Sequence, residues 1–237
     1  MKELMSARMI VDESNHLREA GEEVAEVRRP AVLAIPAKVI SVIFHPIFVP
    51  VYVVYFLINV HYNLFASFTE WGRTKVLIMS LLMYAFFPIV TVLLLKALGF
   101  IESVFLRTRK DRIIPFIACI IWYFWIWHVW RNIPEPGYPR EMVVFAMAAF
   151  FTASAGFMAN IYMKISMHSL AMGTALAFMV FLAATQGISY GIYLAAAIFL
   201  TGLVCTARML VSDHSQREIY TGLLIGIFSI PVANFFT

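Results

Sequence analysis

The sequence predicts an all-α, polytopic transmembrane helical bundle of about six to seven spans. Three observations carry that prediction. The 237 residues are 62% hydrophobic and 14% charged, with a mean hydropathy of +0.82, whereas a soluble domain is usually less than half apolar. The apolar residues gather in runs of about 20, the length a helix needs to cross a hydrocarbon core. Between the runs lie short polar segments that hold most of the lysines and arginines, as expected of loops at a membrane surface.

Residues 1–36 form a polar, mixed-charge N-terminal tail. It lacks the apolar core and small-residue cleavage site of a secretory signal and reads as a helix or a flexible segment. Residues 37–237 form the membrane domain. Its first span is expected over residues 38–60, bent at His45, Pro46 and Pro50, since proline is tolerated in membrane helices whose neighbours satisfy the backbone. The second covers 76–98. The third covers 113–130 and is rich in tryptophan, a residue of membrane interfaces. Pro134, Pro136, Gly137 and Pro139 then mark a turn. The fourth covers 142–162 and carries the small residues Ala153, Ser154, Ala155 and Gly156, which permit close helix packing. The fifth covers 169–185, the sixth 190–207, and the seventh runs from Ile219 to the C-terminus.

Counting spans assigns sides. Arg73, Lys75, Arg131 and Arg140 fall on one face, and the other lysines and arginines fall on or near the opposite face. That second face collects three polar clusters: residues 107–112, residues 164–168 and residues 208–218. The net charge of +4 therefore belongs to membrane loops and does not point to nucleic acid. Cys119 and Cys205 both lie inside apolar runs, which argues against a disulfide framework or a zinc site.

The third cluster carries the clearest chemistry. His214 and Glu218 are four residues apart, so a helix places them within side-chain reach, and a carboxylate beside a histidine fixes the ring's tautomer. Arg208 offers a planar donor fork suited to phosphate. The plain alternative is a charged loop between two helices. In the second cluster, Ser166 and the first N–H groups of the following helix suit an anion, and His168 suits a general acid. The plain alternative is a snorkelling Lys164, a capping serine and an interfacial histidine. The first cluster, with Lys110 and Arg112 among its cations, is an anion patch or an ordinary cytoplasmic loop. His45, near the same face, could also approach these clusters, but the preferred reading is a polar residue packed at a Pro-bent helix end.

Taken together, the clusters resemble the type 2 phosphatidic acid phosphatase superfamily, which contains lipid phosphatases and vanadium haloperoxidases. Its motifs are K-x6-R-P, P-S-G-H and S-R-x5-H-x3-D. Here Arg208, His214 and Glu218 keep the spacing of the third motif, with Glu in place of Asp and Ala207 in place of Ser. Ile165, Ser166, Met167 and His168 keep the serine and histidine of the second, with Ile in place of Pro and Met in place of Gly. Lys110, Arg112 and Pro115 suggest the first without its spacing.

The resemblance implies a multi-pass protein of the bacterial cytoplasmic (inner) membrane that hydrolyses a lipid phosphate or diphosphate. It implies His214 as nucleophile forming a phosphohistidine, Glu218 as its orienting acid and His168 as general acid. It makes Arg208, Ser166, Lys110 and Arg112 the phosphate-binding set. No metal or cofactor is expected, because cations dominate the clusters and divalent metals prefer carboxylate-rich sites. The expected partners are the substrate and membrane lipids. The other readings are a lipid phosphotransferase, a non-catalytic scaffold that binds anionic lipid, and, more remotely, a transporter. The lipid, the oligomeric state and the side of the membrane stay open. The cation-rich face favours cytoplasm, but catalytic cations are not topology signals.

Overall fold

The structure, a computed structural model, describes residues 9–11, 17–19, 31–100, 109–134, 137–187, 189–211 and 214–237. Arg107 of the first cluster, Asp213 of the third, Pro136 of the expected turn and most of the tail lie outside these residues. Nine α-helices run through the described chain: α1 (Ala31–Ile43), α2 (Val49–Asn59), α3 (Glu70–Leu81), α4 (Phe87–Ala97), α5 (Ile113–Arg131), α6 (Arg140–Tyr162), α7 (Met167–Thr185), α8 (Gly191–Val211) and α9 (Gln216–Phe236). A π-helical turn, Leu82–Phe86, joins α3 and α4 into one continuous rod. The protein is an integral, multi-pass membrane protein: among the described residues, six helical rods are long and apolar enough to cross a bilayer.

Two expectations are corrected. The first span is not one bent helix. It is α1 and α2, each too short to cross alone, separated at residues 44–48. Pro46 has no N–H to continue α1 and disfavours helical backbone in His45 before it, while Pro50 sits in the first turn of α2, where its missing N–H costs nothing. In the tail, Met9–Val11 pairs antiparallel with Leu17–Glu19, where a helix or flexible segment was expected. Helix α1 also begins at Ala31, inside the segment assigned to the tail.

Side-chain contacts fix which helix ends lie together. At one end the His61 ring meets Tyr190, between α7 and α8. There also Phe68 stacks on Tyr138, Gln186 donates to Glu141 at 2.7 Å and Arg140 donates to Asn234 at 2.9 Å. At the other end lie the end of α1, the starts of α5, α7 and α9 and the end of α6. There His168 reaches Ser41, Arg112 reaches His214 and Arg109 donates to the carbonyls of Ile161 and Tyr162. Helix α2 leads away from this end toward Tyr190.

Helix α6 is the axis. Met142 through Ala149 is buried without a break, as expected of a helix enclosed by others on every side. Outer faces carry large apolar side chains such as Ile121, Trp125, Phe199 and Phe228. The tightest packing joins α7 to α9. A Cβ on Gly226 would stand 2.2 Å from the Leu170 carbonyl oxygen, and one on Gly173 would stand 2.3 Å from that of Leu223. Hydrogen at these positions lets the two backbones touch, the small-residue mode by which membrane helices associate.

This packing predicts opposite outcomes for two glycine-to-alanine changes. Gly226→Ala is expected to lower the melting temperature markedly in detergent, because overpacking against backbone typically costs about 1–3 kcal/mol or more. Gly202→Ala, which meets nothing within 4 Å, is expected to be neutral or stabilising by up to about 1 kcal/mol. Equal effects in the two variants would refute the contact.

Candidate functional site

The polar end of the bundle is built around the start of α9. Ser215 caps this helix by accepting from the Glu218 N–H at 3.3 Å, and the Glu218 carboxylate reaches back to the Ser215 N–H at 2.9 Å. This reciprocal pair is a capping box. The same carboxylate oxygen lies 3.2 Å from His214 Nδ1. A carboxylate only accepts, so Nδ1 carries the proton and the lone pair of the neutral ring is on Nε2. Glutamate is the residue that completes a capping box, so Glu218 has a local structural role besides its contact with His214.

The His214 side chain is 3% exposed, and Nε2 faces Arg112 Nη2 at 3.4 Å. Arg112 is itself buried and donates through Nη1 to the Ile165 carbonyl at 2.5 Å. One guanidinium therefore ties the start of α5 to both the segment before α7 and His214. Burial, then the charge of Arg112 and of Arg208, push the His214 pKa down to about 4 against the opposing pull of Glu218. At neutral pH the ring is uncharged. Its neighbours Arg109 and Lys110 have different places. Arg109 closes the end of α6 through the two carbonyls named above, and Asn160 donates to its carbonyl at 2.9 Å. Lys110 is exposed in a single 3₁₀ turn, Lys110–Arg112.

The second cluster is divided between two roles. Ser166 is fully buried and caps α7, its hydroxyl accepting from the Ser169 N–H at 3.4 Å. The geometry thus gives Ser166 the capping role, next to the α9 backbone, where its own N–H approaches the Glu218 carbonyl at 3.5 Å. His168 Nε2 lies 2.9 Å from the Ser41 carbonyl and so carries a proton, leaving Nδ1 for other chemistry. Its ring meets His45 edge to face at 5.6 Å. The charge of Arg208 acts on His45 and on His214. The structure thus gathers Arg112, His168, Arg208, His214 and Glu218 at one end.

His45 was read from sequence as a packing residue. Here it sits at the α1–α2 break beside His168 and at the mouth of a cavity between α2, α5, α6 and α7. The adjacent proline, which breaks the helix and leaves a loop residue facing inward, is the signal that could have identified it. The capping box was equally present in sequence, as Ser215 and Glu218 three residues apart.

The arrangement predicts how His214 titrates. In Arg112→Met its pKa is expected to rise from about 4 toward the ordinary 6.5, because a positive charge that disfavours the imidazolium is gone. In Glu218→Gln it is expected to fall further, because the negative charge that favours the imidazolium is lost. The same shift makes folding pH-dependent: the neutral, buried ring contributes stability fully above about 6.5, and this is lost as pH falls toward about 4. Histidine-selective NMR titration reads both directions, and a His214 that titrates near 6.5 in the parent protein would contradict this environment.

No protein-family model, no curated protein and no solved structure matches this chain.

Proposed function

We propose that the protein is a membrane-embedded phosphatase that hydrolyses a lipid phosphate or diphosphate through a phosphohistidine. The observation that carries this reading is the His214 triad. Glu218 holds Nδ1–H at 3.2 Å, the ring is neutral near pH 7, and its Nε2 lone pair faces a guanidinium at 3.4 Å. An oriented, uncharged nucleophile beside a cation is what attack on a phosphate anion requires, since the cation offsets the charge of both ground and transition states.

In this mechanism Nε2 attacks phosphorus and the bond to the lipid oxygen breaks. That oxygen takes the proton that the phosphate monoanion gives to His168 Nδ1 on binding, the ring's own proton staying on Nε2 against the Ser41 carbonyl. The neutral His168 then removes a proton from water, the hydroxide oxygen attacks phosphorus, the N–P bond breaks and inorganic phosphate leaves. Arg112 and Arg208 bind the phosphoryl oxygens, and the N-termini of α7 and α9, which open on the same end, add favourable dipoles. Lys110, exposed at that end, contributes to drawing the anion in.

Purified protein is expected to release phosphate from lipid phosphates with EDTA present. His214→Ala is expected to abolish turnover and the alkali-stable, acid-labile phosphoenzyme. Glu218→Asp is expected to lose about a hundredfold, since the shorter acid no longer holds His214 or closes the cap. A parent protein inactive on all lipid phosphates, with activity appearing in Glu218→Asp combined with Met167→Gly, would overturn the reading of a working enzyme.

A further inference from the structure

The cavity behind His45 spans roughly 750 Å³ of space between atoms, a figure that includes its opening to the outside. Its mouth holds His45, Pro46 and Met167, at the same end as Arg208 and His214. Its walls are mostly apolar, with Pro115, Phe116, Ala149 and Ala153 among them. The polar side chains deeper in it are already engaged. Thr152 and Thr174 bond each other at 2.7 Å, and Thr174 also donates to the Leu170 carbonyl at 3.1 Å. The Tyr123 hydroxyl donates to the Tyr84 carbonyl. A polar guest would give up its water and find few partners here, whereas an apolar guest would lose nothing.

We infer that this cavity binds the single hydrocarbon chain of an anionic amphiphile whose phosphate sits at the His45 end, and that its closed end sets the chain length accepted. The inference rests on the proposed phosphatase reading for the headgroup and on the cavity for the chain. Charge complementarity fixes the orientation: His45 lines this end, with the His168 ring against it and the charge of Arg208 acting on it, and apolar walls lie behind. From Pro115 to Tyr123 the lining runs eight residues along α5, about 12 Å at a rise of about 1.5 Å per residue. Tyr123, Phe145 and Thr174 occupy the far end of the lining on their helices. Small side chains at Ala149, Ala153 and Ala171 leave the space open.

The test is binding of n-alkyl phosphates of increasing length to the full chain in lipid nanodiscs, by calorimetry. Affinity is expected to tighten about fourfold per added methylene, the worth of one buried CH₂, and then to level off when the extended chain reaches about 12 Å. Ala149→Phe is expected to bring the plateau to shorter chains and leave ethyl phosphate binding unchanged. Should that variant not fold, Cys119→Met, a milder enlargement of another lining residue, is expected to shift the plateau in the same direction. Chain-independent binding, or a plateau that neither variant moves, overturns the inference even where phosphate release persists. A plateau that these variants move, measured against empty nanodiscs and without phosphate release, supports the cavity and counts against the phosphatase reading alone.

Discussion

The backbone contact between α7 and α9 is the constraint on which the polar end depends. The two helices run in the same direction, so their N-termini open side by side, and each brings one half of the histidine pair. Gly222 lies nearly two turns inside α9, where a Cβ would stand 2.4 Å from Ser169 Oγ and 2.9 Å from the Ser166 carbonyl. Any side chain there would push apart the two caps, Ser166 and Ser215, that fix where each helix starts. Membrane helices gain little from burying apolar surface, since lipid is as apolar as leucine. Close approach of small residues is therefore a main source of their association. Gly173, Gly222 and Gly226 provide that approach along the interface, and the positions of His168 and His214 follow from it.

The second constraint is electrostatic. Arg112 is almost fully buried, and a buried cation is costly unless its donors are satisfied. It uses them on the Ile165 carbonyl and on His214 Nε2. This keeps His214 neutral and the segment before α7 in place at the same time. Glu218 is shared in a similar way, between the Ser215 N–H and His214 Nδ1. Helix capping and ring orientation thus use one carboxylate oxygen. The two plain readings of these residues, a cap and a loop cation, are satisfied by the same contacts that orient the imidazole.

Much of the fold was legible because hydrocarbon thickness sets the length of an apolar run. The second to seventh spans appear as α3–α4 and α5 to α9 with ends close to those expected. The first was read as one bent helix because residues 38–60 are long enough to cross. Length alone does not separate a bend from a break, and here Pro46 follows a histidine that takes up non-helical backbone. At the site, the spacing of Arg208, His214 and Glu218 was readable since it lies within one loop and one helical turn. The bond from His168 to Ser41 was not, because it joins residues 127 apart. The cavity was not either. It exists where alanines from α6 and α7 face each other across a Pro-broken helix, a product of tertiary packing that no single segment displays.

Met167 shows how these constraints meet at one residue. In the motif that this segment resembles, glycine at this position admits phosphate close to the backbone. Methionine adds a flexible thioether chain, well suited to filling irregular apolar space, and here it lines the cavity mouth. The backbone before it is held by Arg112 through the Ile165 carbonyl, and its helix is capped by a serine with no exposed surface. On the proposed reading, donors for the phosphate shift from the α7 backbone to the guanidiniums of Arg112 and Arg208. Met167 then belongs to the wall between headgroup and chain. A glycine there would widen the mouth and remove apolar contact from the first methylenes of the guest. On the same reading, a ligand with both an anionic head and a hydrocarbon chain would meet the guanidiniums on one side of Met167 and the cavity on the other.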